Sequence, residues 1–473
     1  MAGVIWIDFE DVFAYAAMHA RPTGIQRLAY EAACALHAAD GAVGRIRFVC
    51  HGAAGSFREV PWHAVERLFA TQDQPTRADQ ARPAGVLITE DVSPGKLRRI
   101  RLALFRHLSP AATRRLDPLA AAIATVIRGV RAMRPALRSL AGATLPGRLA
   151  QAQEERGVPA RMGRGDVLLA LAAPWNAAGY GERVAALRAA AGVRFAALFY
   201  DAIPLCCPQW CDTGVRRNFT AWFVAIAPIC DHPFAISRST CADIEHSARQ
   251  LGLRLPAPVR QIPIGTGFGG ATHDVPGQAA ADNPSDVPPA DSYVLFVSTI
   301  EARKNHILLF RLWQRLLRDL PAEAVPRLVF AGRVGWLVDD LMQQIRNTNS
   351  LDGHLVLVEG PSDSELAALY RGCLFTVYPS FYEGWGLPVV ESLAFGKPCI
   401  AANTSSLPEA GGDLARYCDP DNLHDAYRVV RATLDDRAAL AAWQARIVRE
   451  FRPVAWSTTA AAILDGLDAS PVS

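Results

Sequence analysis

The feature that most constrains the fold is an alternation of apolar runs and amphipathic segments in the second half of the chain. Short runs rich in Val, Ile, Leu and Phe recur at residues 293–299, 327–332, 355–360, 374–380 and 399–403. Amphipathic segments separate these runs, and the clearest begins at His306, after Asn305 as a predicted N-cap. Near-continuous apolar strands that alternate with helices are typical of a parallel sheet covered on both faces. The second half is therefore predicted to be a doubly wound α/β domain.

The first half shows the same alternation less regularly. Its predicted strands fall at residues 4–9, 166–171, 194–201, 233–237 and 259–264. We expect an irregular loop after the first strand, and then a helix that Thr23 and Gly24 open. The segment 269–291 is rich in Pro, Gly, Ala and Asp, so it is predicted to be a linker between the halves.

These patterns divide the 473 residues into two large domains. The first is predicted to span residues 1–268 and the second residues 292–454, while residues 455–473 form a helix expected to pack back on the first domain. Apolar residues make up 51% of the chain, which excludes a wholly disordered or fibrous protein.

Charge is nearly balanced over the chain but not along it. The 49 Lys+Arg and 46 Asp+Glu leave a net charge of +3, so charge alone does not indicate a nucleic-acid partner and none is expected. Residues 96–138, inside a predicted helical insertion at about 95–160, nevertheless hold eleven basic residues and one acid. Apolar residues interleave with them at helical spacing. The pattern suits either a solvated helix face or a basic surface for anionic lipid or a diphosphate-bearing acceptor.

Several observations bear on location. The start MAGVIWIDFEDVF lacks a basic region and carries three acids, so it is not predicted to be a signal peptide. The sequence has no uncharged run of eighteen apolar residues, so no membrane span is predicted. The ten cysteines have no regular spacing, which favours reduced thiols. We expect a cytoplasmic protein, with peripheral attachment to the inner face of the membrane left open.

The segment YPSFYEGWGLPVVESLAFGKP (378–398) carries the clearest chemical signal. Glu383 and Glu391 lie eight positions apart, and Pro388 between them suits the first turn of a helix. Both carboxylates can therefore face the carboxyl end of the sheet, where open α/β sheets bind ligands. The intervening glycines let a ligand approach the backbone, and free N–H groups at the helix start suit a phosphate. Carboxylates there are well placed to bind sugar or ribose hydroxyls.

These residues resemble the retaining family-4 glycosyltransferases of the GT-B fold, whose signature is two Glu separated by seven residues. The likeness covers about residues 291–425 and is carried by VSTIEARKNH (297–306), FAGRVGW (330–336), LVLVEGPSDSELAALY (355–370), FYEGWGLPVVE (381–391) and SLPEAGGDLARYCDPDN (406–422). The first half is similar, more loosely, to bacterial mannosyl- and rhamnosyltransferases of polysaccharide assembly. That likeness rests on WIDFEDV, TGIQR, YDAIP and FAISRST. The resemblance implies two doubly wound Rossmann-like domains that face each other across a cleft.

The resemblance also implies roles in the second domain. Glu383 would contact the donor sugar near the reacting carbon, and Glu391 would hold the ribose hydroxyls. Lys304 would neutralise the departing diphosphate, because a fixed cation stabilises charge that develops there. The donor-binding loop would comprise Gly384, Trp385, Gly386 and Leu387, the last three through backbone amides. Many members have a second cation where this chain has Ser298, and either Arg303 or Arg333 is a candidate substitute.

Candidate residues of the first domain follow strands or open a helix. Gly24 would lie near the donor phosphates, in agreement with the helix-dipole argument. Arg27 faces either the acceptor or solvent. Tyr200 stands where many members have His, which leaves room only for a main-chain contact, and Asp201 either orients the acceptor hydroxyl or caps a turn. The pair formed by Ser237 and Arg238 either reaches the donor or satisfies local backbone groups.

The expected activity is retaining, metal-independent glycosyl transfer to a saccharide or lipid-linked saccharide in surface polysaccharide (lipopolysaccharide) biosynthesis. The expected donor is a nucleotide-diphosphate sugar, with GDP-mannose first and rhamnose, fucose or glucose as other sugars. No cofactor and no metal are expected beyond this co-substrate. Three alternatives stay open: another GT-B activity such as a sugar-nucleotide epimerase or glycan phosphorylase, a non-catalytic partner subunit, and a membrane-surface scaffold.

Overall fold

The computed structural model describes residues 3–18, 24–41, 43–52, 56–69, 159–267 and 288–469. All of them belong to one compact unit of the chain. The basic segment 96–138, Thr23 and most of the predicted linker 269–291 lie outside the described residues, so the expectations for them stay predictions.

The first domain is built on a seven-stranded sheet. Its strands are β1 (Ile5–Asp8), β2 (Ile46–His51), β3 (Phe57–Val60), β4 (Val167–Ala170), β5 (Arg194–Phe199), β6 (His232–Ala235) and β7 (Arg260–Gln261). They lie in the order β3-β2-β1-β4-β5-β6-β7. The β2–β3 pair is antiparallel, whereas β1 pairs in parallel with both β2 and β4.

Helices cover both faces of this sheet. They are α1 (Glu10–Met18), α2 (Ile25–Asp40), α3 (Trp62–Arg67), α4 (Tyr180–Ala191), α5 (Ile203–Cys206), α6 (Thr213–Ile226) and α7 (Arg238–Gln250). Successive side chains of β1 point to opposite faces, so Ile5 and Ile7 enter one core while Trp6 enters the other. The two cores account for the near-continuous apolar character of the strands.

The second domain is built on a six-stranded parallel sheet. Its strands are β8 (Tyr293–Val297), β9 (Arg327–Ala331), β10 (Leu355–Val358), β11 (Thr376–Tyr378), β12 (Cys399–Ala402) and β13 (Arg416–Cys418), in the order β10-β9-β8-β11-β12-β13. The helices that follow are α8 (His306–Asp319), α9 (Asp339–Asn347), α10 (Asp363–Gly372), α11 (Leu387–Ala394), α12 (Leu407–Gly411), α13 (Leu423–Asp435), α14 (Arg437–Glu450) and α15 (Trp456–Asp468). The predicted fold class, two doubly wound α/β domains, is confirmed.

Helix α8 shows how the sequence pattern becomes packing. Leu309, Leu312 and Leu316 recur at helical spacing and are buried in the core of the second domain. Asn305 precedes the helix as expected, but its side chain does not cap it. With φ at 63°, its amide instead donates to the carbonyl oxygens of Pro379 (3.1 Å) and Pro420 (2.9 Å). Asn305 thereby ties the loop after β8 to the loop after β11.

The first half departs from its predicted elements in three places. The expected irregular loop after β1 is largely helix α1, and the sequence patterns missed strands β2 and β3. The run 259–264 contributes only Arg260 and Gln261 to the sheet. Strands β3 and β7 are short and lie at the edges of the sheet, where apolar-run patterns are weak, whereas β2 is an interior strand whose apolar residues the sequence analysis did not assign to a strand.

The last helix lies against the first domain. Ala460, Ile463 and Leu467 of α15 enter the same core as Leu28 of α2. The Thr459 hydroxyl donates to the carbonyl oxygen of Pro263 at 2.8 Å. The chain therefore runs from the second domain back to the first at its C-terminal end.

Two further observations concern the chain as a whole. All ten cysteines lie within the described residues and are free thiols. Across the described ranges, no helix has both the length and the apolar character needed to cross a bilayer.

Candidate active site

The candidate site lies where the strand order of the second sheet reverses. Strands β9 and β10 lie on one side of β8, whereas β11, β12 and β13 lie on the other. Open α/β sheets bind ligands at such a point, beyond the carboxyl ends of the strands. Lys304 follows β8 and Glu383 follows β11, so the two neighbouring strands bring these predicted residues together.

The loop that carries Glu383 is held by the segment after β12. The Glu383 N–H donates to Ser405 Oγ at 2.9 Å. Ser406 Oγ, which is completely buried, donates to the carbonyl oxygens of Glu383 (2.9 Å) and Trp385 (2.8 Å). Gly386 then turns the chain into α11 with a φ of 118°, a backbone conformation that residues other than glycine rarely adopt. The backbone around Glu383 is therefore fixed from several sides.

The Glu383 carboxylate is almost completely buried and has three polar partners. Lys304 Nζ lies 2.6 Å from Oε1, and the Tyr378 hydroxyl donates to the same oxygen at 3.1 Å. The Arg303 guanidinium lies 2.8 Å from Oε2. Lys304 Nζ also lies 3.0 Å from the Tyr378 hydroxyl, which closes a compact network of two cations, one anion and one phenol.

The electrostatics of this network follow from burial and charge. Burial by itself raises the pKa of Glu383, but Arg303 and Lys304 more than offset it and hold that pKa at about 2. Burial and the neighbouring Arg303 lower the pKa of Lys304, and the attraction of Glu383 offsets this only in part. The pKa of Lys304 therefore lies below that of a free lysine even with Glu383 beside it.

Arg303 occupies the place of a second cation beside Glu383. Besides this carboxylate, it donates to Glu301 Oε1 (2.7 Å) and to the carbonyl oxygen of Tyr382 (2.5 Å). Ser298, at the position where the family pattern has a cation, lies 3.3 Å from His306 Nε2 through its hydroxyl. Arg333, the other candidate, is exposed beyond the end of β9. The structure brings Arg303, and not Arg333, into contact with Glu383.

Glu391 lies in the fifth position of α11 and lines a separate part of the cleft. The Tyr370 hydroxyl donates to its Oε2 at 2.7 Å. Burial raises the pKa of Glu391, against the opposing effects of Tyr370 and of Arg27. A narrow cleft adjoins it, with walls that include Arg27, Gly265, Leu387 and Trp456. Residues of both domains thus line this space.

Arg27 joins the two domains directly. Its guanidinium makes a two-pronged contact with Asp363 of α10, at 2.9 and 3.2 Å. Gly24, three residues before Arg27, directly precedes α2, has a φ of 52° and is exposed. The sequence left open whether Arg27 faces the acceptor or solvent. In the structure its guanidinium instead forms an ion pair across the cleft.

Gly384 lies against the first domain at the site. A Cβ atom added there would lie 1.9 Å from the carbonyl oxygen of Tyr200 and 3.0 Å from Cβ of Asp201. The space that this glycine leaves is therefore filled by the first domain. The Tyr200 hydroxyl points away and donates to the carbonyl oxygen of Leu171 at 2.6 Å.

Asp201 and the Ser237–Arg238 pair have local partners. Asp201 Oδ1 accepts the Ile203 N–H at 3.0 Å, so it caps a turn. Burial raises the pKa of Asp201, although Arg303 opposes this, which places its carboxyl near the charged network. Ser237 caps α7 by accepting the Thr240 N–H at 2.9 Å.

Arg238 faces another anion, the carboxylate of Glu409 in α12. Its backbone N–H and its Nε donate to Glu409 Oε2 at 2.9 and 3.2 Å, and the Ser239 N–H donates to Oε1 at 2.8 Å. A carboxylate of the second domain thus occupies the helix start for which the sequence suggested a donor contact.

Sequence reasoning missed four residues that build this site. Tyr378, Glu301, Ser405 and Ser406 contact the charged network or its loop, as described above. Tyr378 carried a usable signal, because it ends an apolar strand directly before the Glu383 loop. Glu301 contacts Arg303 within the loop after β8, whereas Ser405 and Ser406 act from a loop about twenty residues away in sequence.

Comparison with known proteins gives the class. Residues 278–447 match the family model described as "Glycosyl transferases group 1". Over its full length the chain is similar in structure to Anabaena HepE solved with UDP and glucose, with a TM-score of 0.50, 14% identity and coverage of 99% of both chains. At that identity the likeness supports the GT-B fold alone. The second domain is therefore similar to group 1 glycosyl transferases, within a chain of GT-B architecture.

Two curated relatives come from Escherichia coli. The chain is 32% identical to O-antigen chain mannosyltransferase B over 166 residues, which is 35% of this chain and 42% of that protein. It is 26% identical to serotype-specific mannosyltransferase WbdA over 250 residues, which is 52% of this chain and 30% of that protein. The chain thus spans less than half the length of these two relatives.

Proposed function

We propose that this protein is a retaining, metal-independent glycosyltransferase. It moves a hexose from a nucleotide-diphosphate sugar to a saccharide or lipid-linked saccharide of a surface polysaccharide. The observation that carries the proposal is the buried Glu383 carboxylate held between Arg303 and Lys304 at the topological switch point.

The contacts of Lys304 suit it to the leaving diphosphate. An ammonium has three protons, and two of them are directed to Glu383 and to Tyr378. The third can serve a diphosphate oxygen, whose charge grows as the glycosidic bond breaks. The donor groups of Arg303 are directed to Glu301, Tyr382 and Glu383, so Arg303 acts by holding the carboxylate. In this arrangement fixed side-chain cations supply the charge that a metal supplies in other transferases.

Glu391 suits the ribose of the donor nucleotide. Tyr370 holds one of its carboxylate oxygens, and a cleft lined by residues of both domains opens beside it. Buried carboxylates are good acceptors for paired hydroxyls, because few other partners compete for them. Arg27, paired with Asp363, forms part of the opposite wall.

Mannose is the first expectation for the transferred sugar. Its support is the similarity to two proteins named as mannosyltransferases of O-antigen chains. GDP-mannose is accordingly the first donor to test, followed by other nucleotide sugars.

The test measures thermal stabilisation by nucleoside diphosphates and nucleotide sugars, with a chelator present. A ligand at a hundred times its Kd adds about 2.7 kcal/mol of stability, so a micromolar donor gives a clear shift. We expect Glu391→Ala to lose most of the shift. Glu383→Ala should keep the shift and lose transfer of labelled mannose to saccharide acceptors. A variant Glu383→Ala with near-normal turnover would overturn the catalytic assignment, and a shift that requires added metal would overturn metal independence.

A further inference from the structure

An exposed apolar loop lies next to the charged network. Among the described residues few large apolar side chains are exposed, and three of them fall in the loop after β9: Val334 (43%), Trp336 (50%) and Leu337 (61%). Among the tryptophans that the structure describes, Trp336 alone is exposed, and the others are buried or partly buried. Exposed apolar groups concentrated in one place usually mark a contact surface.

The loop is fixed to the segment that carries the two cations. The Ile300 N–H donates to the Arg333 carbonyl oxygen (2.8 Å), and the Gly335 N–H donates to that of Ile300 (2.8 Å). The Ala302 N–H donates to the Trp336 carbonyl oxygen at 3.3 Å, one residue before Arg303. Leu337 has a φ of 58°, a conformation that is costly for such a side chain and that occurs where the surroundings enforce it.

The ring of Trp336 is oriented and leads toward Glu383. Its Nε1–H donates to the carbonyl oxygen of Trp210 at 3.0 Å, so the polar edge is satisfied while half of the side chain stays exposed. The Trp210 ring stacks on Phe381, with centroids 4.9 Å apart and planes 3° apart. Phe381 precedes Glu383 by two residues. A chain of three aromatic residues, called the aromatic track below, therefore leads from the exposed Trp336 ring, through its hydrogen bond to the Trp210 backbone and the Trp210–Phe381 stack, to the loop of the predicted catalytic carboxylate.

We propose that this aromatic track is a binding subsite for the saccharide acceptor, distal to the hydroxyl that reacts. The C–H faces of pyranose rings are apolar and pack on indole faces, while their hydroxyls stay in water. Rigid, half-exposed tryptophans provide such faces at small entropic cost. The position of the aromatic track favours the acceptor over the donor nucleotide as its ligand. The predicted ribose site at Glu391 is lined by a different set of residues, which includes Arg27, Gly265 and Trp456. The subsite rests on the proposed glycosyltransferase function.

The test compares acceptors of increasing length: a methyl mannoside, then the corresponding disaccharide and tetrasaccharide. For Trp336→Ala we expect the KM of the tetrasaccharide to rise about tenfold or more, the usual scale for losing one aromatic contact. The KM of the methyl mannoside should change by less than about twofold, because its ring lies at the reacting end. Val448→Ala, which trims another exposed apolar side chain on α14, is the matched control and should leave both values unchanged.

A second variant separates the ring face from the hydrogen bond. Trp336→Phe keeps an aromatic face and removes the Nε1–H, so its tetrasaccharide KM should lie well below that of Trp336→Ala. Equal effects of the two variants would overturn the stacking argument. So would a KM increase independent of acceptor length, or a loss of nucleoside diphosphate binding by Trp336→Ala.

Direct binding keeps this test independent of transfer. Saturation-transfer NMR should detect the tetrasaccharide on the wild-type protein and much less of it on Trp336→Ala. That result, together with no transfer to any acceptor, would reject the proposed function and leave the subsite standing. An absence of saccharide binding to the wild-type protein would overturn the subsite.

Discussion

Replacing Glu383 by Gln tests the electrostatic reading of the site most directly. The change keeps shape and removes one charge, and it leaves Arg303 and Lys304 as buried cations without their shared anion. The pKa of Glu383 is held at about 2 against an ordinary value of 4.5. At about 1.36 kcal/mol for each pH unit, this difference corresponds to about 3 kcal/mol of folding stability at neutral pH. Loss of one member of a buried charge pair commonly costs about 3–5 kcal/mol, which agrees.

The pH dependence has a definite sign. Because the folded-state pKa lies below the unfolded one, the stabilisation is complete above pH 4.5 and is lost as the pH falls toward 2. The stability difference between the wild type and Glu383→Gln should therefore be constant from pH 7 to about pH 5 and shrink below that range. For a domain of this size, a loss of about 3 kcal/mol lowers Tm by about 6–12 °C.

The assay is urea unfolding at pH 7 and at steps down to pH 4, with thermal unfolding beside it. Glu323→Gln is the control, because Glu323 is exposed in the same domain and its loss should change stability by less than about 0.5 kcal/mol. A nucleoside diphosphate should stabilise Glu383→Gln at least as strongly as the wild type, since it supplies an anion to Lys304. The reasoning is refuted if Glu383→Gln unfolds like the wild type, or if the difference persists unchanged to pH 4.

Two further predictions concern the contact between the domains. Gly384→Ala would place a Cβ atom 1.9 Å from the Tyr200 carbonyl oxygen, so the loop must move. A displacement of about 1 Å should lower turnover about a hundredfold. Gly163→Ala is the control and should leave turnover unchanged, because a Cβ atom there meets nothing within 4 Å. Reversing one charge of the Arg27–Asp363 pair should destabilise the protein and reversing both should recover most of the loss. A double-mutant cycle by urea unfolding should give a coupling of about 0.2–1 kcal/mol, because Asp363 is well exposed, and a zero coupling would mean the ion pair contributes nothing.

The sequence indicated the second domain more fully than the first. Its strands are buried on both faces, so they appear as apolar runs, and α8 shows five buried residues at helical spacing, namely Leu308, Leu309, Leu312, Trp313 and Leu316. In the first domain α1 follows β1 directly, and the short β3 pairs antiparallel at the sheet edge. These elements bury fewer residues, and their periodicity is correspondingly weak.

For the site, residue type, position along the chain and the family resemblance predicted Glu383, Glu391 and Lys304, because each follows a strand or begins a helix at the ligand-binding edge. These features did not identify which arginine is the second cation beside Glu383. Arg303 and Arg333 both follow apolar strands, and only the path of the loop after β8 turns Arg303 onto the carboxylate.

The sequence by itself determined the fold class and the place of the two carboxylates on α11 and its preceding loop. Both depend on local spacing, and local spacing is set by the fixed geometry of strands and helices. The tertiary structure alone decided the partners. Tyr378 completes the Glu383 network, Arg27 pairs with Asp363, and Gly384 meets the Tyr200 carbonyl. The last two contacts join residues more than a hundred positions apart, and the geometry of all three is set by how the sheets and loops pack rather than by any pattern along the chain.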